Sequence, residues 1–475
     1  MVGSTKQKHN YTVAELFCGC GGFSHGFARS GRFDIVLGND IKKAALKTFQ
    51  HNHKSKRGAP AIIEQDIRTV ALADIKKALF LKGVKSGELD CLIGGPPCQG
   101  FSQMRRSEER KDDEIVGFKG YNRLDQDPRN DLVLRFLEIA NALRPKFIVI
   151  ENVPQMRSHA HNGKRGGLLG SVTELLHEMD YDARVEVVNA ADYGVPQLRE
   201  RLVILASRLS PVSFPAPTHA DPEAARLFPE KLSAWITVAE AIADLPTPAS
   251  GPEDTLGGAR LALYRQDSVS EYAKLMRNSA AFPYNHLTRQ YSGDIIETIK
   301  EMAQGETWDA ASLRKQTEYE PLIKGLADGG AARAAALQKL AASGVVNKKF
   351  YNKYYWSAYT RLAWERPALT ITANANFLGS GRFTHPEEHR GITMREAARL
   401  QSFDDDFKFI TSATDDSETS NIGTGLDMIG EAVPPLLAEK IAVRIAEQFD
   451  QQQPLTSYSP QVAKAVARPF ELTAV

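Results

Sequence analysis

Along the first 207 residues, short apolar runs rich in β-branched residues alternate with stretches whose apolar positions recur every three or four residues. The short runs lie at 11–17, 34–40, 61–67, 91–95, 146–153, 183–189 and 201–207 and predict strands. The intervening runs at 41–50, 71–80, 131–143 and 168–179 predict amphipathic helices. Strand–helix alternation predicts an α/β fold, with a largely parallel sheet covered by helices. Ligands of such sheets gather at the carboxyl ends of the strands, so chemistry is expected there.

After residue 210 the pattern breaks. Prolines cluster at 210–222 and again at 244–255, and no clean strand–helix alternation runs through 210–385. Residues 327–344, rich in Ala and Gly, predict a plain surface helix. A clear pattern returns at 386–449. There Thr393 precedes the run 394–401 with Glu396 three residues on, the signature of a capping box. The run 434–449 predicts a last helix, with Leu437, Ile441, Ile445 and Phe449 on one stripe. The tail after Asp450 is polar and expected to be loosely ordered.

Composition narrows the class. The chain has 475 residues, 42% of them apolar and 25% charged, which excludes a disordered or collagenous protein. At about 150 residues per domain it suggests two or three domains. Lys plus Arg total 59 and Asp plus Glu 58, a formal net charge of +1. A surface that binds nucleic acid throughout is more basic, so a polyanionic partner has to meet a local patch. The four cysteines, Cys18, Cys20, Cys91 and Cys98, are too few for a disulfide scaffold. Their spacing is not a usual zinc pattern, so no metal is expected. The polar start and the lack of an apolar run near the length of a membrane span predict a soluble, intracellular protein.

Four segments could carry chemistry. In GGPPCQGFS (94–102), a predicted strand runs into two prolines and then Cys98. A thiolate at a strand end is a candidate nucleophile; a buried packing cysteine is the alternative. In FCGCGGF (17–23), the glycines permit a sharp turn and close ligand approach. The dinucleotide fingerprint G-x-G-x-x-G is absent, which disfavours a nicotinamide-dependent dehydrogenase. Asp40 and Asp66 follow at later strand ends, where an acid can hold ribose hydroxyls or simply cap a helix. In ENVP (151–154), Glu151 closes an apolar strand and is either a proton donor or a salt-bridged carboxylate. In QLRERL (197–202), Arg199 and Arg201 alternate with Glu200, so both face one side of an extended chain. That suits a phosphate or a polar ring edge, or an exposed charged edge strand.

These segments, in this order, resemble the DNA cytosine-5 methyltransferases of bacterial type. So do TRLAWERPALTITA (360–373), GRFTHPEEHRGITMREAARLQSF (381–403) and IGEAVPPLLAEKIA (429–442). The resemblance spans about 11–207 and 350–449 and implies a doubly wound S-adenosylmethionine-dependent methyltransferase fold with a smaller target-recognition domain. Residues 1–210 and 386–475 would form the catalytic domain, the last helix returning to it, and 211–385 the recognition domain. It further implies S-adenosylmethionine as cofactor, S-adenosylhomocysteine as product and no metal. The substrate would be double-stranded DNA, met in a bacterial cytoplasm by a monomer with a possible companion restriction endonuclease. Cys98 would add to carbon 6 of a flipped-out cytosine, with Glu151 at ring nitrogen 3 and Arg201, helped by Arg199, at the ring oxygen. Phe17, Gly19, Cys20 and Gly22 would line the cofactor. Asp40 would hold its ribose, although many members carry Glu there. Ile41 would pack its adenine, Asp66 and Ile67 would read that base, and Pro96, Leu132, Glu431 and Ala432 would complete the pocket.

Residues 99–127 are expected to form a lid over the flipped base. The basic and aromatic run 348–356 is expected either at the DNA face or in the core. Two positions depart from the family pattern. Glu431 stands where Asn is usual, a charge that bears on cofactor affinity. Asp404 stands where Pro is usual, which predicts only a local change. A tRNA cytosine methyltransferase and a catalytically inactive DNA-binding relative are the rival readings. The length of the recognition region argues against the first, and intact Cys98, Glu151, Arg199 and Arg201 against the second.

Overall fold

The computed structural model describes residues 10–97, 130–158, 166–209, 211–250, 263–267, 269–327, 329–412 and 421–451. The strands are β1 (Tyr11–Leu16), β2 (Phe33–Asp40), β3 (Ala61–Glu64), β4 (Cys91–Gly94), β5 (Phe147–Asn152), β6 (Asp182–Asn189), the two-residue β7 (Gln197–Leu198) and β8 (Glu200–Ser207). All but β7 form a seven-stranded sheet in the order β3-β2-β1-β4-β5-β8-β6. β1 to β5 run parallel, while β8 lies antiparallel between β5 and β6. The sheet is therefore mixed, with one reversed strand in the predicted parallel frame.

Strand alternation explains why helices cover both faces. In β5, Phe147 and Val149 enter one core cluster, and Ile148 and Ile150 enter the other. The first face is covered by α1 (Gly22–Arg29), α2 (Lys43–Asn52) and the helix Pro435–Asp450. The second is covered by α3 (Leu72–Leu81), α4 (Asn130–Leu143) and α5 (Gly167–Glu178). Fully burying an apolar side chain of this size stabilises by about 1.5–3 kcal/mol, so these alternating positions hold the three layers together.

The predicted stripe of the last helix is buried: Leu437, Ile441, Ile445 and Phe449 are each at most 1% exposed. It packs on α1, where a Cβ on Gly26 would meet Ala438 Cβ at 2.4 Å. α1 was not anticipated, because Gly22 and Gly26 weaken a helical pattern; here they admit the neighbouring backbone. The predicted Thr393 capping box is formed, and all seven residues of the helix Met394–Leu400 are buried. Between 211 and 385 the chain forms short helices and two-residue strands, as the broken pattern implied. Two helices are longer; one, Trp308–Lys324, carries an internal Pro321 and was not expected. The expected helix in 327–344 spans Gly330–Ala342. Among the described residues, no helix is long and apolar enough to cross a membrane.

Candidate active site

The carboxyl ends of β1 to β5 and the amino end of β8 share one edge of the sheet, since Asn152 pairs with Leu202 across the antiparallel step. The described parts of the predicted site segments after β1, β2, β3, β4 and β5 and before β8 come to this edge. After β1 the chain turns through Phe17 (φ 57°), Gly19 (φ 53°) and Gly21 (φ 94°). Phe17 has no glycine freedom, so the left-handed turn is held by its surroundings. Cys18 N–H donates to Asn39 O at 2.9 Å, and Gly21 N–H to Cys18 O at 2.8 Å. A Cβ on Gly22 would meet Val433 O at 2.5 Å, so only glycine lets the loop sit against the C-terminal segment. Around Gly19, by contrast, nothing among the described residues lies within 4 Å of a Cβ position, so among them one side of the loop is open.

Asp40, the last residue of β2, fixes that loop. Its Oδ2 accepts from Gly19 N–H at 2.9 Å, and its Oδ1 accepts from the amides of Ile41 and Lys42 at 2.8 and 2.9 Å. Ile41 beside it is 66% exposed, an apolar side chain left uncovered at the edge. Asp66 follows β3 and accepts from the Arg68 amide and guanidinium, which hold its carboxyl below the usual range. Ile67 is buried, and its carbonyl accepts from Arg135. Phe17 and Leu132 pack against the same core cluster. Cys20 is buried and donates its Sγ–H to Met428 O at 3.6 Å.

Cys98 and the expected lid at 99–127 lie outside the described residues. The chain leading to Cys98 is described through Pro97. Gly95 stands against Glu151, whose Oε2 lies 3.1 Å from a Gly95 Cβ position. Pro96 O accepts from Asn152 Nδ2 at 3.4 Å. Glu151 is ion-paired, with its Oε1 2.8 Å from Arg201 Nε.

The two arginines of QLRERL divide their work. Arg201 meets Glu151, whereas Arg199 is 1% exposed and donates to the carbonyls of Ile371, Gly430 and Ala432 at 2.8, 3.0 and 3.1 Å. Burial lowers its pKa, and the Arg201 charge nearby adds to this. Arg199 therefore ties the C-terminal segments to the sheet edge. Gln197 and Gln401 belong to the same clamp. Gln197 Nε2 donates to Gln401 Oε1 at 2.6 Å, and Gln401 Nε2 donates to Ala432 O at 2.6 Å.

Both departures from the family pattern acquire partners. Glu431 Oε1 accepts from Lys42 Nζ at 2.7 Å, so its charge is balanced at the mouth of the Asp40 loop. Asp404 reaches farther than the expected local change. It accepts from His25 Nε2 at 3.1 Å and from Arg29, tying α1 to the C-terminal half. Burial opposes its ionisation, but these two partners outweigh it and hold the carboxyl well below its ordinary range.

One further group went unread in the sequence. Glu15, in β1 beneath the glycine loop, is 2% exposed and accepts from Ser24 N–H at 3.1 Å and from the Ser24 hydroxyl. Burial pushes its carboxyl up to about 8. A carboxylate in the apolar run YTVAELF was the available signal. A second buried cluster joins Arg399 to Asp244 at 2.8 Å and to Asp405 at 2.7 Å, all three side chains being fully buried. The basic and aromatic run 348–356 is split: Phe350 is buried and stacks on Trp308 at 5.1 Å, while Tyr355 and Trp356 are exposed.

Comparison with known proteins agrees with this arrangement. The C-5 cytosine-specific DNA methylase family matches residues 11–447. The type II methyltransferase M.AgeI of Thalassovita gelatinovora is 29% identical, over 91% of this chain and 98% of its own. The type II methyltransferase M.DdeI of Desulfomicrobium norvegicum is 27% identical, over 96% and 94%. The crystal structure of a DNA modification methyltransferase encoded within an E. coli prophage superposes with a TM-score of 0.62. It shares 22% identity and covers 93% of this chain and 100% of its own, a likeness of fold. With the family matched across nearly its whole length, the chain belongs to the C-5 cytosine-specific DNA methylases and is a DNA cytosine-5-methyltransferase.

Proposed function

We propose that the chain is the modification enzyme of a type II restriction–modification system, methylating carbon 5 of cytosine within one short duplex sequence. The observation that carries this reading is the Glu151–Arg201 pair, set beside Gly95 at the strand end that leads to Cys98. The type II relatives point to a companion endonuclease. Action on duplex DNA as a cytoplasmic monomer fits this role, as does a division into a catalytic domain (1–210 with 386–475) and a recognition domain (211–385).

The site suits S-adenosylmethionine, which supplies an electrophilic methyl group when bound. An open space beside Gly19, an acid at the end of β2 and the uncovered Ile41 together fit a nucleoside with a charged tail. Asp40 would accept from the ribose hydroxyls with its remaining lone pairs. Ile41 would cover the adenine, and Asp66 with the Ile67 backbone would read its edge. Phe17, Gly19, Cys20, Gly22, Pro96, Leu132, Glu431 and Ala432 would complete the walls. Arg199 would act by holding Gly430 and Ala432 in place.

The target cytosine has to leave the helix stack, at a cost of a few kcal/mol; methyltransferases are among the general examples of such base flipping. The Cys98 thiolate then forms a bond to carbon 6. The ring π electrons move toward nitrogen 3, where Glu151 meets the developing charge by hydrogen bonding or proton donation. Arg201 holds Glu151 and the ring oxygen together. Carbon 5 of the resulting enamine would take the methyl group that bound S-adenosylmethionine supplies, with S-adenosylhomocysteine as the leaving group. A base removes the carbon 5 proton, and those electrons expel the Cys98 thiolate.

A duplex carrying 5-fluorocytosine at the target tests this order. Fluorine cannot leave as a proton does, so the adduct persists. Intact-mass analysis with S-adenosylmethionine present should show protein plus one methylated strand. A wild-type sample that methylates ordinary DNA yet forms no adduct would overturn the covalent step.

A further inference from the structure

Several basic side chains of the 211–385 region meet a carboxylate. Lys349 meets Asp294 at 2.6 Å, Arg314 meets Glu306 at 2.7 Å, and Arg333 is paired with Glu320. Arg382 differs. It is half-buried, burial depresses its pKa, and among the described residues no carboxylate pairs with it. Its Nε is buried without a hydrogen-bond partner. The guanidinium lies 4.3 Å over the Trp356 ring. Trp356 is 41% exposed, so an exposed ring lies against a cation that lacks a counter-charge among the described residues.

This surface continues from the catalytic edge. The strand Ala368–Leu369 pairs with β7 (Gln197–Leu198), and Arg199 holds Ile371 O at 2.8 Å. From there the chain folds tightly: Phe377 N–H donates to Asn374 O at 3.0 Å and Ser380 N–H to Phe377 O at 2.9 Å. Tyr359 N–H donates to Leu378 O at 2.8 Å, and Arg289 Nη1 donates to Asn376 O at 2.8 Å. The segment is thus fixed before any ligand arrives. A guanidinium held over an aromatic ring keeps its planar fork available, which suits the edge of a guanine. Exposed rings suit base and methyl contact better than a phosphate would.

We propose that Arg382, stacked on Trp356, reads a base edge in the target duplex beside the flipped cytosine and so sets part of the sequence preference. This rests on the DNA-methylating function proposed above. The polyanionic duplex supplies the charge that Arg382 lacks, and its bases can meet the exposed edge of Trp356.

The test uses the full chain with S-adenosylhomocysteine and fluorescent duplexes, one holding the target found by bisulfite sequencing and others changed at single flanking pairs. Arg382→Gln should weaken binding to the target duplex by about 5- to 150-fold, the range of one bidentate base contact. Binding to a scrambled duplex should change less than about twofold, because a base contact is absent there. Arg382→Lys keeps the charge and should lose the same preference, while thermal melting verifies that both variants fold. Equal losses on target and scrambled duplexes, or full preference in Arg382→Lys, would overturn the proposal in favour of a phosphate contact. Unchanged binding in every variant would overturn it as well. A wild-type protein that neither binds nor methylates any duplex would instead defeat the enzymatic reading beneath it.

Discussion

Glu151 Oε1 lies 2.8 Å from Arg201 Nε, and each side chain is only 13% exposed. The pair joins the end of β5 to the start of β8, so one acid and one cation arrive at the same point from separate motifs. Glu151→Gln preserves shape but removes the charge and the proton. Single-turnover methylation should slow by about 10²- to 10⁴-fold, the range for a lost general acid. DNA affinity should change little. A rate within about threefold of wild type would remove Glu151 from the chemistry.

Glu15 makes a pH-dependent prediction. Its carboxyl is raised from 4.5 to about 8 in the folded chain, because burial disfavours the charge. Between those values the unfolded chain has lost the proton and the folded chain keeps it, so stability falls as pH rises and levels off above about 8. Glu15→Gln has no proton to lose. Its melting temperature relative to wild type should climb from about pH 5 to about pH 8. A constant difference across that range would contradict the buried, protonated state.

Asp244 is fully buried between Arg399 at 2.8 Å and Arg277 at 2.8 Å. Removing one partner of such a network strands the other charges. Asp244→Ala should therefore destabilise the chain by about 3–5 kcal/mol in denaturant unfolding. A change under about 1 kcal/mol would mean that water reaches the two arginines.

The Lys42–Glu431 pair is about half exposed on both sides. Exposed pairs contribute about 0–1 kcal/mol, so Glu431→Asn should alter S-adenosylhomocysteine affinity by less than about fivefold, either unchanged or tighter. Calorimetric titration measures this directly. A loss beyond about tenfold would give Glu431 a role at the ligand itself.

The strand ends were legible in the sequence because strand position and chemistry coincide there: apolar runs stop at Asp40, Gly95 and Glu151. The partners of those residues were not. Asp404 and His25 stand 379 positions apart, and Lys42 and Glu431 stand 389 apart. No periodic pattern links such distant groups; the fold alone brings them together. α1 was hidden for a different reason. Its glycines look like loop residues until Ala438 and Val433 are seen against them. Arg199 shows the limit of face counting: alternation placed it beside Arg201, but three backbone carbonyls take up its terminal nitrogens.

Methylation of carbon 5 of cytosine through Cys98 is read out by bisulfite sequencing of DNA from cells expressing the chain. Wild type should leave cytosines unconverted at one short recurring sequence, and cells expressing Cys98→Ala should show none. Complete conversion with the wild-type chain, or equal protection by Cys98→Ala, would contradict the account.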